Sequence, residues 1–185
     1  MKRVPRIAAL ALWLSAAPVL AADPTPGTGD APTPGPDGWF DARSIQGGFS
    51  VRIPARFNDF SQGGEKDGQP VKVNALEAII PVAFGTVQTW EAVCIDHLGP
   101  APTVESAFAD ATSEHQENGN LRWQRRTTFA GYPALDFAVS DGKRQVRSRV
   151  IVIGKRVCTA AVNYPVVDPV SDADTEKFLA SFKPR

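Results

Sequence analysis

Hydrophobic and polar positions alternate along much of the chain after residue 48, and the alternation predicts strands. In "GGFSVRIP", Phe49, Val51 and Ile53 oppose Ser50 and Arg52, and Pro54 stops the run. "NDFSQGGEKDGQP" reads as turn chemistry throughout. "VKVNALEAIIPVAF" puts Val71, Val73 and Ala75 on one face, then turns apolar from Ala78 to Val82, with Pro81 marking an edge or a bulge. "TWEAVCIDHL" sets Trp90, Ala92 and Cys94 against Glu91, Val93 and Ile95. The period then lengthens. "PTVESAFADATSEHQENG" offers Thr103 as an N-cap and Gly119 as a stop, with Val104, Phe108 and Ala111 on one face, and predicts a helix of about four turns.

Alternation returns in "NLRWQRRTTFAGYPALDFAVSDG", which reads as two strands joined at Ala130-Gly131-Tyr132-Pro133. "GKRQVRSRVIVIGKRVCTAAVNY" reads as a hairpin turning at Gly154-Lys155. Val150 to Ile153 has no polar side, which predicts a strand near the sheet centre with cover on both faces. "SDADTEKFLASF" closes the chain as a short helix capped by Ser171, with Phe178, Leu179 and Phe182 facing inward. Strands in succession with one helix among them and another at the end make an α+β fold, an antiparallel β-sheet flanked by helices.

The first 48 residues follow other rules. Residues 1–22, "MKRVPRIAALALWLSAAPVLAA", have a basic start, a short apolar run and small residues at the end, the pattern of a cleaved signal peptide. The uncharged run from Ile7 to Ala22 is shorter than the ~20 residues a spanning helix needs. No later stretch is apolar enough to span as a helix, so no transmembrane segment is expected after cleavage. Residues 23–38, "DPTPGTGDAPTPGPDG", hold Pro and Gly and no large apolar side chain, and read as a disordered linker. A single globular domain is expected from 39 to 185, in a periplasmic or secreted protein.

Charge is unevenly spread. Residues 121–160 carry nine basic and two acidic side chains, whereas residues 23–120 carry five basic and fourteen acidic ones. The basic half centres on the hairpin with Arg144, Arg147, Arg149 and Arg156. Two readings follow. The arginines form a face for an envelope protein or an anionic surface component, or the two halves interleave and pair across strands. Nucleic acid is a poor partner for an exported chain whose mature part is net acidic.

Cys94 and Cys158 are the only cysteines, and both fall in predicted strands. In an oxidising compartment they are a candidate disulfide. "CIDH" brings Cys94, Asp96 and His97 together in sequence, but alternation turns His97 away from the other two, so no metal site is expected. The chain has two histidines, His97 and His115, and no G-x-S-x-G motif, so no nucleophile with an oriented base is indicated. Paired carboxylates remain open as chemistry, though no pair stands out by spacing. No glycine loop precedes a helix in the manner of a phosphate cradle, and no cofactor is expected.

"GGFSVRIPARF", "FAGYPALDFAV", "RSRVIVIGKRVCTAAV" and the closing "FLASF" together resemble the exported bacterial proteins of the PsbP-like group. The resemblance covers most of residues 48–182 and lies in sheet and turn residues rather than reactive ones. It implies an antiparallel sheet sandwiched by helices, and a non-catalytic accessory or assembly role in a membrane-linked complex. Cys158 stands where an aromatic is expected after "GKR", a departure that favours pairing with Cys94. The expectation is an exported, non-enzymatic binding or accessory module of the cell envelope. The alternatives are a carrier holding a small apolar or anionic ligand between sheet and long helix, and a carboxylate-dependent hydrolase.

Overall fold

The computed structural model describes residues 32–116 and 119–184. The expected signal peptide and the first part of the expected linker lie outside the described residues. Among the described residues no helix is long and apolar enough to cross a membrane.

Among the described residues nine strands and two α-helices follow in the order β1 Phe40–Ser44, β2 Phe49–Ile53, β3 Asn58–Lys66, β4 Gln69–Pro81, β5 Val87–His97, α1 Val104–Gln116, β6 Asn120–Phe129, β7 Tyr132–Ser140, β8 Arg144–Ile153, β9 Arg156–Pro165 and α2 Asp172–Ser181, with one 3-10 turn at Ala83–Gly85. The fold is α+β but mainly sheet. β1 and β2 form a hairpin of their own. The other seven strands make one antiparallel sheet in the order β3-β4-β5-β9-β8-β7-β6. Two ladders meet in it. β3-β4-β5 comes from the acidic half of the sequence, β6-β7-β8-β9 from the basic half, and α1 carries the chain between them to the far edge.

Each face of the sheet is packed by different elements. On one face α2 and the β1-β2 hairpin cover a core built from Leu76, Ala78, Trp90, Ala92, Ile151, Ala160 and Val162. Phe178, Leu179 and Phe182 supply the helix side, and Trp90 meets the rings of Trp39 and Phe178 edge-on at 5.5 and 5.4 Å. On the other face α1 sets Ala107 and Phe108 onto Leu135, Phe137, Val139, Val150 and Val152. β8 therefore buries Val150 and Val152 on the α1 side and Ile151 on the α2 side, as its unbroken apolar run predicts.

The helix signals act where they stand. The Thr103 hydroxyl accepts from the Ser106 amide at 3.0 Å, and the Ser171 hydroxyl accepts from the Asp174 amide at 3.0 Å. The segment read as turn chemistry is a correction. Asn58 to Lys66 is a strand paired along its whole length with β4, and only Asp67 and Gly68, with φ of 52° and 72°, make the turn. Its residues are mostly exposed on this edge, so no apolar alternation marks it, and the pairing groups of β4 hold it in register. The join of β6 to β7 is likewise tighter than four residues. Ala130 and Gly131, at φ of 50° and 85°, form the turn, and Tyr132 and Pro133 already pair with Phe129 and Thr128.

The end of the expected linker contacts the folded body. The Gly35 amide donates to the Trp39 carbonyl, and Asp37 accepts from Lys177 at 2.7 Å and Arg52 at 2.8 Å. These two cations, Lys177 foremost, hold the Asp37 carboxyl well below its usual range.

Candidate binding surfaces

The β5–β9 seam joins the two ladders, and it places Cys94 directly opposite Cys158. Their sulfurs lie at disulfide distance, across 64 residues of sequence. The next pair on the same face, Asp96 and Arg156, is tied by two hydrogen bonds of 2.6 and 3.1 Å, and Arg156 also donates to the Gly47 carbonyl at 3.0 Å. Asn74, fully buried on β4, donates to Asp96 at 3.2 Å and accepts from Ser61 at 2.8 Å. The seam is thus a polar network beside a sulfur pair, closed off from solvent on one side by the β1-β2 hairpin.

The four arginines singled out in the sequence do not share one exposed face. By register Arg147, Arg149 and Arg156 point to the α2 side, and Arg144 points to the α1 side. Each has partners within the chain. Arg144 donates to the Asn163 side chain at 2.8 Å and the Val87 carbonyl at 2.9 Å. Arg147 pairs with Asp172 and lies 3.7 Å from Glu176. Arg149, only 7 % exposed, grips Asp136 through two bonds of 2.7 and 3.0 Å and stacks 4.8 Å from the Phe129 ring. Arg125 approaches the same carboxylate at 3.3 Å. Burial pushes the Asp136 carboxyl up, but the hydrogen bonds and charge of Arg149, with help from Arg125, bring it below its usual range. Beside this network lies a shallow groove of about 310 Å³ lined by Trp123, Arg125, Arg147 and Glu176. Its two arginines face one glutamate and are also paired outside the lining, Arg125 with Asp136 and Arg147 with Asp172, so it offers mixed polar contacts and one exposed indole rather than a field of one sign.

A different surface emerges on the α1 side of the sheet. α1 packs over β6, β7 and β8, while α2 and the β1-β2 hairpin lie on the opposite side. Over β3, β4 and β5 this face has no helix upon it among the described residues. Register puts Phe60, Ala75 and Val93 in one row there, Val73 and Ile95 in the next, and Ile79 two rows away along β4. Val73, Val93 and Ile95 are half-buried, and Phe60 and Ile79 are exposed at 40 % and 52 %. A contiguous apolar patch of this kind on a sheet is a contact surface in waiting.

Two carboxylates stand in the middle of it. Glu77 on β4 is directly opposite Glu91 on β5, which sets their Cβ atoms about 5 Å apart. Neither has a hydrogen-bond or ion-pair partner among the described residues. Burial, with the neighbouring Glu77 charge adding to it, pushes the Glu91 carboxyl up to about 7. Glu77 and Glu91 are legible as acids within strands, but their pairing depends on the β4–β5 register, which alternation alone does not fix. Other charged or titratable groups on this face, Lys66, His97 and Arg144, sit toward strand ends.

Chemically, the pair can receive a cation, or share and release a proton near neutral pH. Among the described residues no group of three or more His, Cys, Asp or Glu side chains converges to hold a metal ion. The space between sheet and α1 is filled by the side chains of its own core. In comparisons with protein-family models and with curated proteins, none matches this chain.

Proposed function

We propose that this chain is an exported, non-enzymatic binding or accessory module of the cell envelope, acting through the open half of its sheet. The single observation that carries this reading is the apolar face of β3-β4-β5 with Phe60, Ile79, Val93 and Ile95 on it. Apolar rows on a sheet are ordinarily covered by a helix or a second sheet, as the same face is by α1 over β7 and β8. The Cys94–Cys158 geometry supports export, because a bond at that seam would persist in an oxidising compartment. The helix–sheet–helix layering supports the PsbP-like sandwich as the finer description of the fold.

Photo-crosslinking in the native envelope tests the reading. A crosslinker at Val93 should give adducts with a partner, while one at Ala180, exposed on α2 across the sheet, gives none. Equal adducts at both positions, or none at Val93, overturn it.

The carboxylate-hydrolase alternative has one observation in its favour, the facing Glu77 and Glu91 with one acid held near neutrality. A hydrolase would lose turnover of a chromogenic ester or glycoside panel on Glu91→Gln. A binding module has no such turnover to lose.

A further inference from the structure

The open sheet face has a chemistry that selects what can cover it. Resting on the binding-module reading, we propose that its occupant is a cationic, apolar segment of a partner protein, with a lysine or arginine seated against Glu77 and Glu91.

A surface that covers Ile79 on one side and Val93 on the other also removes water from the two glutamates, whose row lies between theirs. Burying an ionised carboxylate without a partner is costly, and burying two side by side costs more. The occupant must therefore bring positive charge, or the pair must be protonated. A second copy of this chain would place four carboxylates together, so self-association through this face is disfavoured whenever they are ionised. An anionic membrane surface is repelled by the same pair. A basic segment gains from both the apolar rows and the charge.

The other charged or titratable groups on the face, Lys66, His97 and Arg144, are displaced toward strand ends, and Arg144 is already held by Asn163 and Val87.

Coupling to protons follows. A cation at the pair favours the ionised form of Glu91, so docking near pH 7 releases protons, and affinity rises as pH climbs through that region.

The test uses the full mature chain and three synthetic amphipathic 18-residue helices with the same leucine face and Lys, Gln or Glu on the polar face. The Leu/Lys helix is expected to bind in fluorescence anisotropy, and the Leu/Glu helix to fail. The Glu77→Gln/Glu91→Gln double variant should lose at least tenfold in affinity for Leu/Lys, whereas Arg126→Ala on the far edge changes nothing. The double variant removes a like-charge pair, so it should fold, and circular dichroism checks that. Calorimetry in buffers of different ionisation enthalpy should show proton release on binding. Equal binding of Leu/Gln and Leu/Lys, an unaffected double variant, preferred binding to anionic vesicles, or dimers through this face at pH 8 would each overturn the proposal. If Val93 still crosslinks in the envelope while Leu/Lys fails, the cationic partner is wrong and the binding module stands. If Val93 also gives no adduct, both fall.

Discussion

Two carboxylates in the same sheet have opposite fates. Asp136, in the basic β6–β9 ladder, is buried at 3 % exposure, is gripped by Arg149 and approached by Arg125, and is held in its charged form. Glu91, in the acidic β3–β5 ladder, is half-buried beside another glutamate and is pushed toward the neutral form. Both acids lose water on folding, and they differ in whether a cation is beside them. Burial sets the size of the penalty for charge, and the partner decides whether it is met. The arginines of the basic ladder find carboxylates, Asp136 within it, Asp96 on β5 and Asp172 on α2. The other ladder has left two glutamates unmatched on an apolar face, and the proposed binding surface rests on that asymmetry.

The comparison can be attacked from its strongest side first. Asp136→Ala leaves Arg149 buried without its main partner, and should cost about 3–5 kcal/mol in urea denaturation. A loss under 1 kcal/mol would mean that Arg149 relaxes onto Glu176, 3.9 Å away, and that the matched ladder is not rigid. The seam between the ladders comes next. If Cys94 and Cys158 are bonded, alkylation without reductant leaves the mass unchanged, and reduction costs up to about 4 kcal/mol, the chain-entropy value for a loop of this length. Mass gain on alkylation would show free thiols instead.

Glu91→Gln sharpens the unmatched side. The folded protein holds this acid at about 7 against an ordinary 4.5. Between those values the unfolded chain has lost the proton that the folded one keeps, so stability falls as pH rises from about 4.5 to 7. The variant should flatten that slope, gaining roughly 1–3 kcal/mol at pH 8 and nothing at pH 4. A profile identical to that of the parent would remove Glu91 from the account. The smallest effect is expected at Arg126, whose pair with Glu105 ties β6 to α1 on the exposed edge. Arg126→Ala should leave the melting temperature unchanged within error in 0.5 M salt, where such a pair is screened.

Much of the skeleton was legible along the chain. Phe49-Val51-Ile53, Leu135-Phe137-Val139 and Val150 to Ile153 announce their strands because a buried face demands apolar side chains at fixed period. Ser171 and Thr103 announce helix starts because orphan amides need an acceptor. β3 was not legible. It is an edge strand carrying Gly63 and Gly64, held by its neighbour's backbone rather than by its own side chains. The arginine hairpin was legible as a charge cluster, but not as a set of internal pairs, since Asp136, Asp96 and Asp172 come from other parts of the chain.

The sequence by itself determined the α+β class, the turn at Gly154, the inward faces of most strands and the separation of acidic from basic halves. These are local matters, fixed by period and backbone preference. Only the tertiary structure decided which strands adjoin, and so which charges meet: Cys94 with Cys158, Arg149 with Asp136, Glu77 with Glu91. Register across a sheet is set by the packing of its faces, and a face left open becomes visible only once every helix has been placed.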